Sequence, residues 1–365
     1  MVGFRVVGRW AAQEWLATKG VELVVFIAST RVSTIPGISV AGPSPEATLY
    51  TPALDLEYLV LGKPRSAEVV PVTPDGIPTP AVLTRAVANL TKLRVLAVDA
   101  GSYLRPRIPA VVIPGGVVGG RVDIEDALPR GTARELFESS VTLGRMLGSP
   151  DFLVVVGESM PGGTTTAMVT MEVLGFRAAG RVSSSSPRNP HDIKRRVLQL
   201  ALERASLKPP VGDVFTAIDV FGDPLHISIA GFVAGALERG SRILLAGGTQ
   251  MGAVLAILKR LGVKLEGRVA IGTTRWVVED GSSDILGLVS EIASEVPVLY
   301  STISFGDSPF RGLRAYEEGY VKEGVGAGGC LVVASLIYGL GPEELKRAIY
   351  AEYERVLDLA EGGRG

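Results

Sequence analysis

Five short stretches constrain the fold more than anything else in the sequence: VELVVFIAS (21–29), LRVLAVDAG (93–101), DFLVVVGES (151–159), RILLAGGTQ (242–250) and RVAIGTTR (268–275). Their apolar residues run unbroken rather than alternating with polar ones. Each therefore reads as a strand buried on both faces, and such strands belong in a parallel sheet covered by helices on either side. Helical patterns lie between them. GTARELFESSVTLGRML (131–147) offers Thr132 as an N-cap, and SIAGFVAGALERG (228–240) offers Gly240 as a C-cap. This alternation predicts a doubly wound α/β fold, with a mostly parallel, Rossmann-like sheet and helices on both faces. A chain of 365 residues can form one such unit over 1–365. We place its α/β core at 81–340, with the terminal segments 1–80 and 341–365 forming a smaller lobe. Residues 36–80 read as an ordered irregular arm, and 342–365 as an amphipathic outer helix fraying from Gly362 onward.

Composition removes several function classes. Lys+Arg number 37 against Asp+Glu 38, a formal net charge of −1, so no electrostatic footprint for nucleic acid is expected. The single cysteine, Cys330, cannot form an internal disulfide and reads as packing; no Cys/His cluster suggests a metal. The uncharged stretch 324–342 is glycine-rich and flanked by Glu323 and Glu343, which favours a buried core helix over a membrane span. The N-terminus does not read as a signal peptide. The expected location is cytoplasmic and the expected partners are small molecules, with neither nucleic acid nor membrane.

In sheets of this type ligands sit beyond the carboxyl ends of the strands, which is where the glycine-rich turns fall. VVVGESMPGGTTTA (154–167) carries a lone carboxylate, Glu158, then Gly162 and Gly163, then Thr164, Thr165 and Thr166 at a helix start. Glycine amides, threonine hydroxyls and a helix dipole suit an anion such as phosphate, although a tight capped turn has the same composition. There is no lysine in the place a Walker A loop requires. LLAGGTQMGAVLAIL (244–258) repeats strand, turn and helix with Gly247, Gly248 and Thr249, but not at GxGxxG spacing; VVIPGGVVGGRVD (111–123) reads as a loop. Glu323 in YVKEGVGAGG (320–329) stands before small residues that let a flat ligand approach. Poor solvation would lift its pKa towards the range of a general base, and a glutamate facing its own helix dipole is the plain alternative. His191 and His226 are the only histidines; a structural role is expected for His226, and no hydrolase triad is suggested.

Taken in order, VGESMPGGTTTA (156–167), the segment 222–258 beginning GDPLHISIAGF, and KEGVGAGG (322–329), with AGPSPEATLYTPALDLEYLVLG (41–62) upstream, resemble the nicotinate-nucleotide:dimethylbenzimidazole phosphoribosyltransferases, specifically their archaeal-type relatives. The resemblance covers about 41–334. Gly163 stands where the family often has asparagine, and Lys322 where it has glycine before the glutamate.

The resemblance implies transfer of phosphoribosyl from nicotinate mononucleotide to an aromatic, benzimidazole-type base, without cofactor or metal, by a homodimer. It implies Glu323 as general base and Glu158 beside the ribose. Gly162, Gly163, Thr164, Thr165 and Thr166 would hold phosphate, with further substrate contacts from Gly222, Asp223, Gly247, Gly248, Thr249, Gly324 and Gly326. Two alternatives remain at this level: a type I phosphoribosyltransferase using phosphoribosyl diphosphate and magnesium, and a non-catalytic nucleotide-binding sensor.

Overall fold

A computed structural model describes residues 3–68, 71–73 and 75–362 of the chain, the side chains of 360–362 excepted. It contains one eight-stranded sheet in the order β1-β8-β7-β6-β5-β2-β3-β4. The strands are β1 (Phe4–Val7), β2 (Gly20–Ile27), β3 (Arg94–Asp99), β4 (Val111–Val112), β5 (Phe152–Ser159), β6 (Arg242–Ala246), β7 (Val269–Thr274) and β8 (Val298–Ser301). All neighbours pair in parallel except β1 with β8.

The unbroken apolar runs have the expected cause. Along β2, Val24 and Phe26 enter one buried cluster while Leu23, Val25 and Ile27 enter the other. β5 divides in the same way, Val154 and Val156 against Leu153 and Val155. Successive side chains point to opposite faces, so only a strand covered on both sides needs every position apolar. The two edge strands, and β8 just inside β1, were not readable in this way: β1 has three exposed residues of four, β4 has two residues, and β8 has four.

Local chemistry adjusts several boundaries. Gly131, left-handed at φ 90°, is the N-cap of the helix Thr132–Leu147, so Thr132 is its first residue rather than its cap. The helix Pro224–Glu238 starts earlier than its apolar pattern suggests, because Asp223 caps it by accepting the His226 N–H and Pro224 suits the first turn. Gly240, at φ 88°, follows its C-cap Arg239 as expected of a helix stop. Stretch 324–342 forms the helix Ala327–Leu336, buried over Ala327–Ala334. Residues 111–123 are the short β4 followed by loop.

A division at residue 80 does not separate sheet from lobe, since β2 lies between β5 and β3. The helix Thr51–Leu61 and the C-terminal helix Pro342–Gly362 do come together across Ala81–Thr91, where Tyr58 donates to Glu352 at 2.6 Å. The expected fraying beyond Gly362 lies outside the described residues. Chain order reverses between β2 and β5: successive strands step outward from β2 to β4 on one side and from β5 to β8 on the other. The crevice beyond that pair of strand ends is where such sheets take ligands.

Candidate active site

β5 delivers Glu158 to this crevice as a buried side chain at the carboxyl end of the sheet. The preceding Gly157 is required by close packing, since a Cβ there would stand 3.0 Å from the Gly326 backbone. That contact and the Val325 N–H donated to the Glu158 carbonyl at 2.8 Å dock the Glu323 loop onto β5. The loop is strained. Val321, Lys322 and Val325 have φ of 63°, 61° and 53°, flanking Gly324 and Gly326 at 152° and 77°. Left-handed backbone costs a side-chain-bearing residue about 1–2 kcal/mol, more awkwardly when β-branched. Three tethers hold it: Thr84 Oγ1 donates to the Val325 carbonyl (3.0 Å), Thr274 Oγ1 to the Lys322 carbonyl (2.6 Å), and the Val321 N–H to Ser185 (2.8 Å).

The Glu323 carboxylate accepts the N–H groups of Gly324 and Gly328 at 3.1 Å, so it does face the first turn of Ala327–Leu336. Those bonds favour the charged form, yet burial outweighs them and raises the Glu323 pKa to about 8. Burial likewise raises Glu158 to about 7, against the pull of His226 and Gln250. A third carboxyl, Asp55 on Thr51–Leu61, is raised by burial to about 6 and accepts hydroxyl protons from Thr79 and Ser159, both at 2.8 Å. The carboxyls also bear on one another: the charge of Asp55 raises Glu158, and that of Glu158 raises Glu323. Three buried carboxyls with raised pKa values thus converge beyond β5, and in their ionised forms they would stabilise positive charge brought among them.

Gly162 is the left-handed N-cap, φ 79°, of the helix Gly163–Val173, pressed so closely on Ser33 that a Cβ would stand 2.8 Å from its backbone nitrogen. At Gly163 a Cβ would overlap the Gln250 side-chain oxygen. The three threonines divide. Thr164 is half-buried and accepts from the Lys194 ammonium at 2.9 Å. Thr165 and Thr166 are sealed in the core; both backbone N–H groups are donated to Gly162, and the Thr166 hydroxyl is donated to Gly163. Helical register turns these two side chains inward, so Thr164 is the one of the three that is partly exposed.

The second turn brings Gly248 to the site: a Cβ there would lie 3.7 Å from Glu323 Cβ and 3.7 Å from Ser183 Oγ. Thr249 is buried and accepts the Ser183 N–H at 3.0 Å, while the Gly247 N–H is donated to Gly272. Gly222 and Asp223, expected as substrate contacts, sit behind the site. Gly222 closes the helix Val214–Phe221 against Ile218. Asp223 is fully buried and reaches Glu158 only through His226 and Gln250.

Several side chains here carried no readable signal in the sequence. Lys194, on His191–Ala205, is fully buried and donates to Ser183 O (2.7 Å) as well as Thr164; burial, then repulsion from Lys322, lowers its pKa to about 7. Lys322 pairs with Asp280 at 2.8 Å and donates to Asn189, joining the loops around 189, 280 and 322. Burial alone would raise Asp280, but Lys322 and its other donors hold it near 2. Surface clefts of about 370 and 350 Å³, one beside Arg31 and Asp126 and one beside Ala86 and Glu352, do not include the carboxyls.

No family model matches the chain. A UPF0284 protein from Aeropyrum pernix is 52% identical over 344 residues, 94% of this chain and 95% of its own. Another, from Pyrobaculum calidifontis, is 50% identical over 333 residues, 91% and 95% of the two chains. The chain belongs to the UPF0284 family. This UPF0284 fold is that of a solved nicotinate-nucleotide-dimethylbenzimidazole phosphoribosyltransferase from Thermus thermophilus, with a TM-score of 0.60 at 17% identity over 92% of this chain and 83% of that one. CobT from the same organism gives 0.59 at 17% identity, over 91% and 83%. The resemblance carried by the motifs is borne out in the fold of this UPF0284 chain. Among its described residues no helix is long and apolar enough to cross a membrane.

Proposed function

We propose that this protein transfers the phosphoribosyl group of nicotinate mononucleotide to a benzimidazole-type base, releasing nicotinate and forming an α-ribazole phosphate. The observation that carries the reading is the pair of buried carboxyls, Glu158 and Glu323, raised to about 7 and 8 beside two glycine turns. The pyridinium nitrogen leaves as a neutral amine and needs no acid. The base becomes cationic as its unprotonated ring nitrogen bonds to the ribose carbon, and loss of the N–H proton on its other ring nitrogen to Glu323 removes that charge. A base that titrates near the working pH is suited to this.

Glu158 would lie against the ribose, its charge opposing the positive charge that develops on the sugar as the C–N bond breaks. The phosphate would be held by Thr164, by the Lys194 ammonium and by the N-terminus of Gly163–Val173, and much of the rate gain would come from the fixed orientation. Gly248, with no side chain beside Glu323, would let a flat ring approach the backbone of this turn. The experiment is chromatography of nicotinate released from nicotinate mononucleotide, with and without a panel of benzimidazoles and purines. Release that depends on the added base is expected. Bound nucleotide with no release for any base would overturn the reading in favour of a sensor, and a requirement for phosphoribosyl diphosphate with magnesium would replace it with type I chemistry.

A further inference from the structure

Behind Glu158 runs a buried chain of polar groups for which the transfer reaction has no obvious use. Gln250 Nε2 donates to Glu158 Oε1 at 3.0 Å, Gln250 Oε1 lies 3.1 Å from His226 Nε2, and His226 Nδ1 lies 2.6 Å from Asp223 Oδ2. Glu158, His226 and Asp223 are almost completely buried, and Gln250 is nearly so. The His226–Asp223 contact is short but off the ideal hydrogen-bond line, and neither atom has another partner. Attraction between opposite charges survives such a bend where a neutral hydrogen bond weakens.

Two proton arrangements satisfy this chain with the same number of protons. In one, an ionised Glu158 accepts from the Gln250 amide, whose oxygen then needs a proton from His226 Nε2; since Nδ1 faces a carboxylate, the ring is an imidazolium. In the other, the Gln250 amide is reversed, a protonated Glu158 donates to its oxygen, and His226 is neutral with its proton on Nδ1. The two differ by the place of one proton and a turn of one amide.

Resting on the proposed reaction, we infer that His226 and Gln250 are positioning residues: His226, held as an imidazolium by Asp223, fixes the Gln250 amide so that it presents N–H to Glu158 and keeps that carboxylate charged towards the sugar. The surroundings agree. Burial alone would lower the His226 pKa, but Asp223, then Glu158, raise it overall; burial would raise Asp223, but His226 holds it below the usual range. Asp55, the other charge bearing on Glu158, pushes its proton back on. The relay opposes that push. Gly163 completes the device, because any side chain there would displace the Gln250 oxygen.

The test uses the whole chain and needs no turnover. His191→Gln leaves His226 as the one imidazole, since the chain has two histidines. In ¹⁵N-labelled protein at pH 8, both ring nitrogens of His226 are expected to carry protons; a single proton, on Nδ1, would establish the reversed arrangement and overturn the proposal. In Gln250→Leu, the ¹³C-carboxyl titration of Glu158, assigned by its loss in Glu158→Gln, is expected to move up by one unit or more, and an unmoved midpoint would also overturn it. If Gln250→Leu does not fold, the imidazole spectrum decides alone. Absence of nicotinate release by the wild-type protein would count against the reaction and leave these spectra to judge the relay. Where release occurs, Gln250→Leu should lower kcat about tenfold or more with a smaller change in nucleotide KM, a split that a purely structural role would not give.

Discussion

At the scale of single residues, Glu323 and Lys194 carry distinguishable work. With a raised pKa of about 8, Glu323 is mostly protonated at neutrality, and only its ionised form can take a proton. kcat/KM should therefore rise with pH through about 8. Glu323→Gln, which keeps the shape and loses the basicity, should lower kcat by about 10²-fold or more; equal turnover by the variant at saturating base would remove Glu323 from the chemistry. Lys194→Met takes away a buried ammonium beside Thr164. A lost phosphate contact should raise the nucleotide KM about tenfold or more while leaving kcat closer to normal, as loss of uniform binding does. Calorimetric nucleotide affinity unchanged in the variant would place the phosphate elsewhere. The setting of Glu323 was legible in the small residues that follow it, but that of Lys194 was not: it sits on an exposed-looking helix thirty positions from Thr164 in sequence, and only packing brings them together.

At the scale of elements, the two glycine turns look alike in sequence and differ in what fills the space beside them. Gly163 faces the Gln250 oxygen with no room for a methyl group, whereas at Gly248 the nearest atoms would stand at 3.6–3.7 Å, ordinary contact. Gly163→Ala should therefore fold but turn Gln250 away from Glu158, with a loss of kcat. Gly248→Ala should cost less than about 1 kcal/mol in stability and act instead on the fit of the aromatic base, seen as altered KM among the base panel. Denaturant titration and steady-state rates on the pair would separate these outcomes, and equal behaviour of the two would contradict them. The strands and turns were legible because a doubly covered strand writes itself as an unbroken apolar run and a turn at its end as glycine. The edge strands β1 and β4, and β8 beside β1, were not, being short, and in β1 mostly exposed. The site's other members, Asp55, His226, Gln250 and Lys322, come from four separate segments, and their meaning lies in contacts of up to a hundred or so residues' separation that no local spacing encodes.

At the scale of the whole molecule, the site costs stability and the cost depends on pH. Asp55, Glu158 and Glu323 have folded pKa values of about 6, 7 and 8 against ordinary values of 3.8, 4.5 and 4.5. Between those limits the folded chain binds more protons than the unfolded one, so stability falls as pH rises. His226, also raised, acts in the same direction. Lys194, lowered to about 7, acts oppositely, but only above about pH 7, where the unfolded ammonium keeps its proton and the folded one loses it. Asp280, held near 2, loses its contribution only in acid below the usual carboxylate range. The window from about pH 5 to 7 is therefore governed by the raised carboxyls, and Tm should fall across it. Glu158→Gln removes one of them without removing volume. At pH 4.5 Glu158 is largely protonated when folded, so the variant should melt close to wild type; by pH 7 it should melt higher, by an amount equivalent to a few kcal/mol at most. Parallel melting curves at both pH values would mean that Glu158 is not held against its charge. The predicted gain is the measure of what the fold spends to keep an ionisable group where a cationic sugar would meet it, and the same variant should lose turnover as it gains Tm.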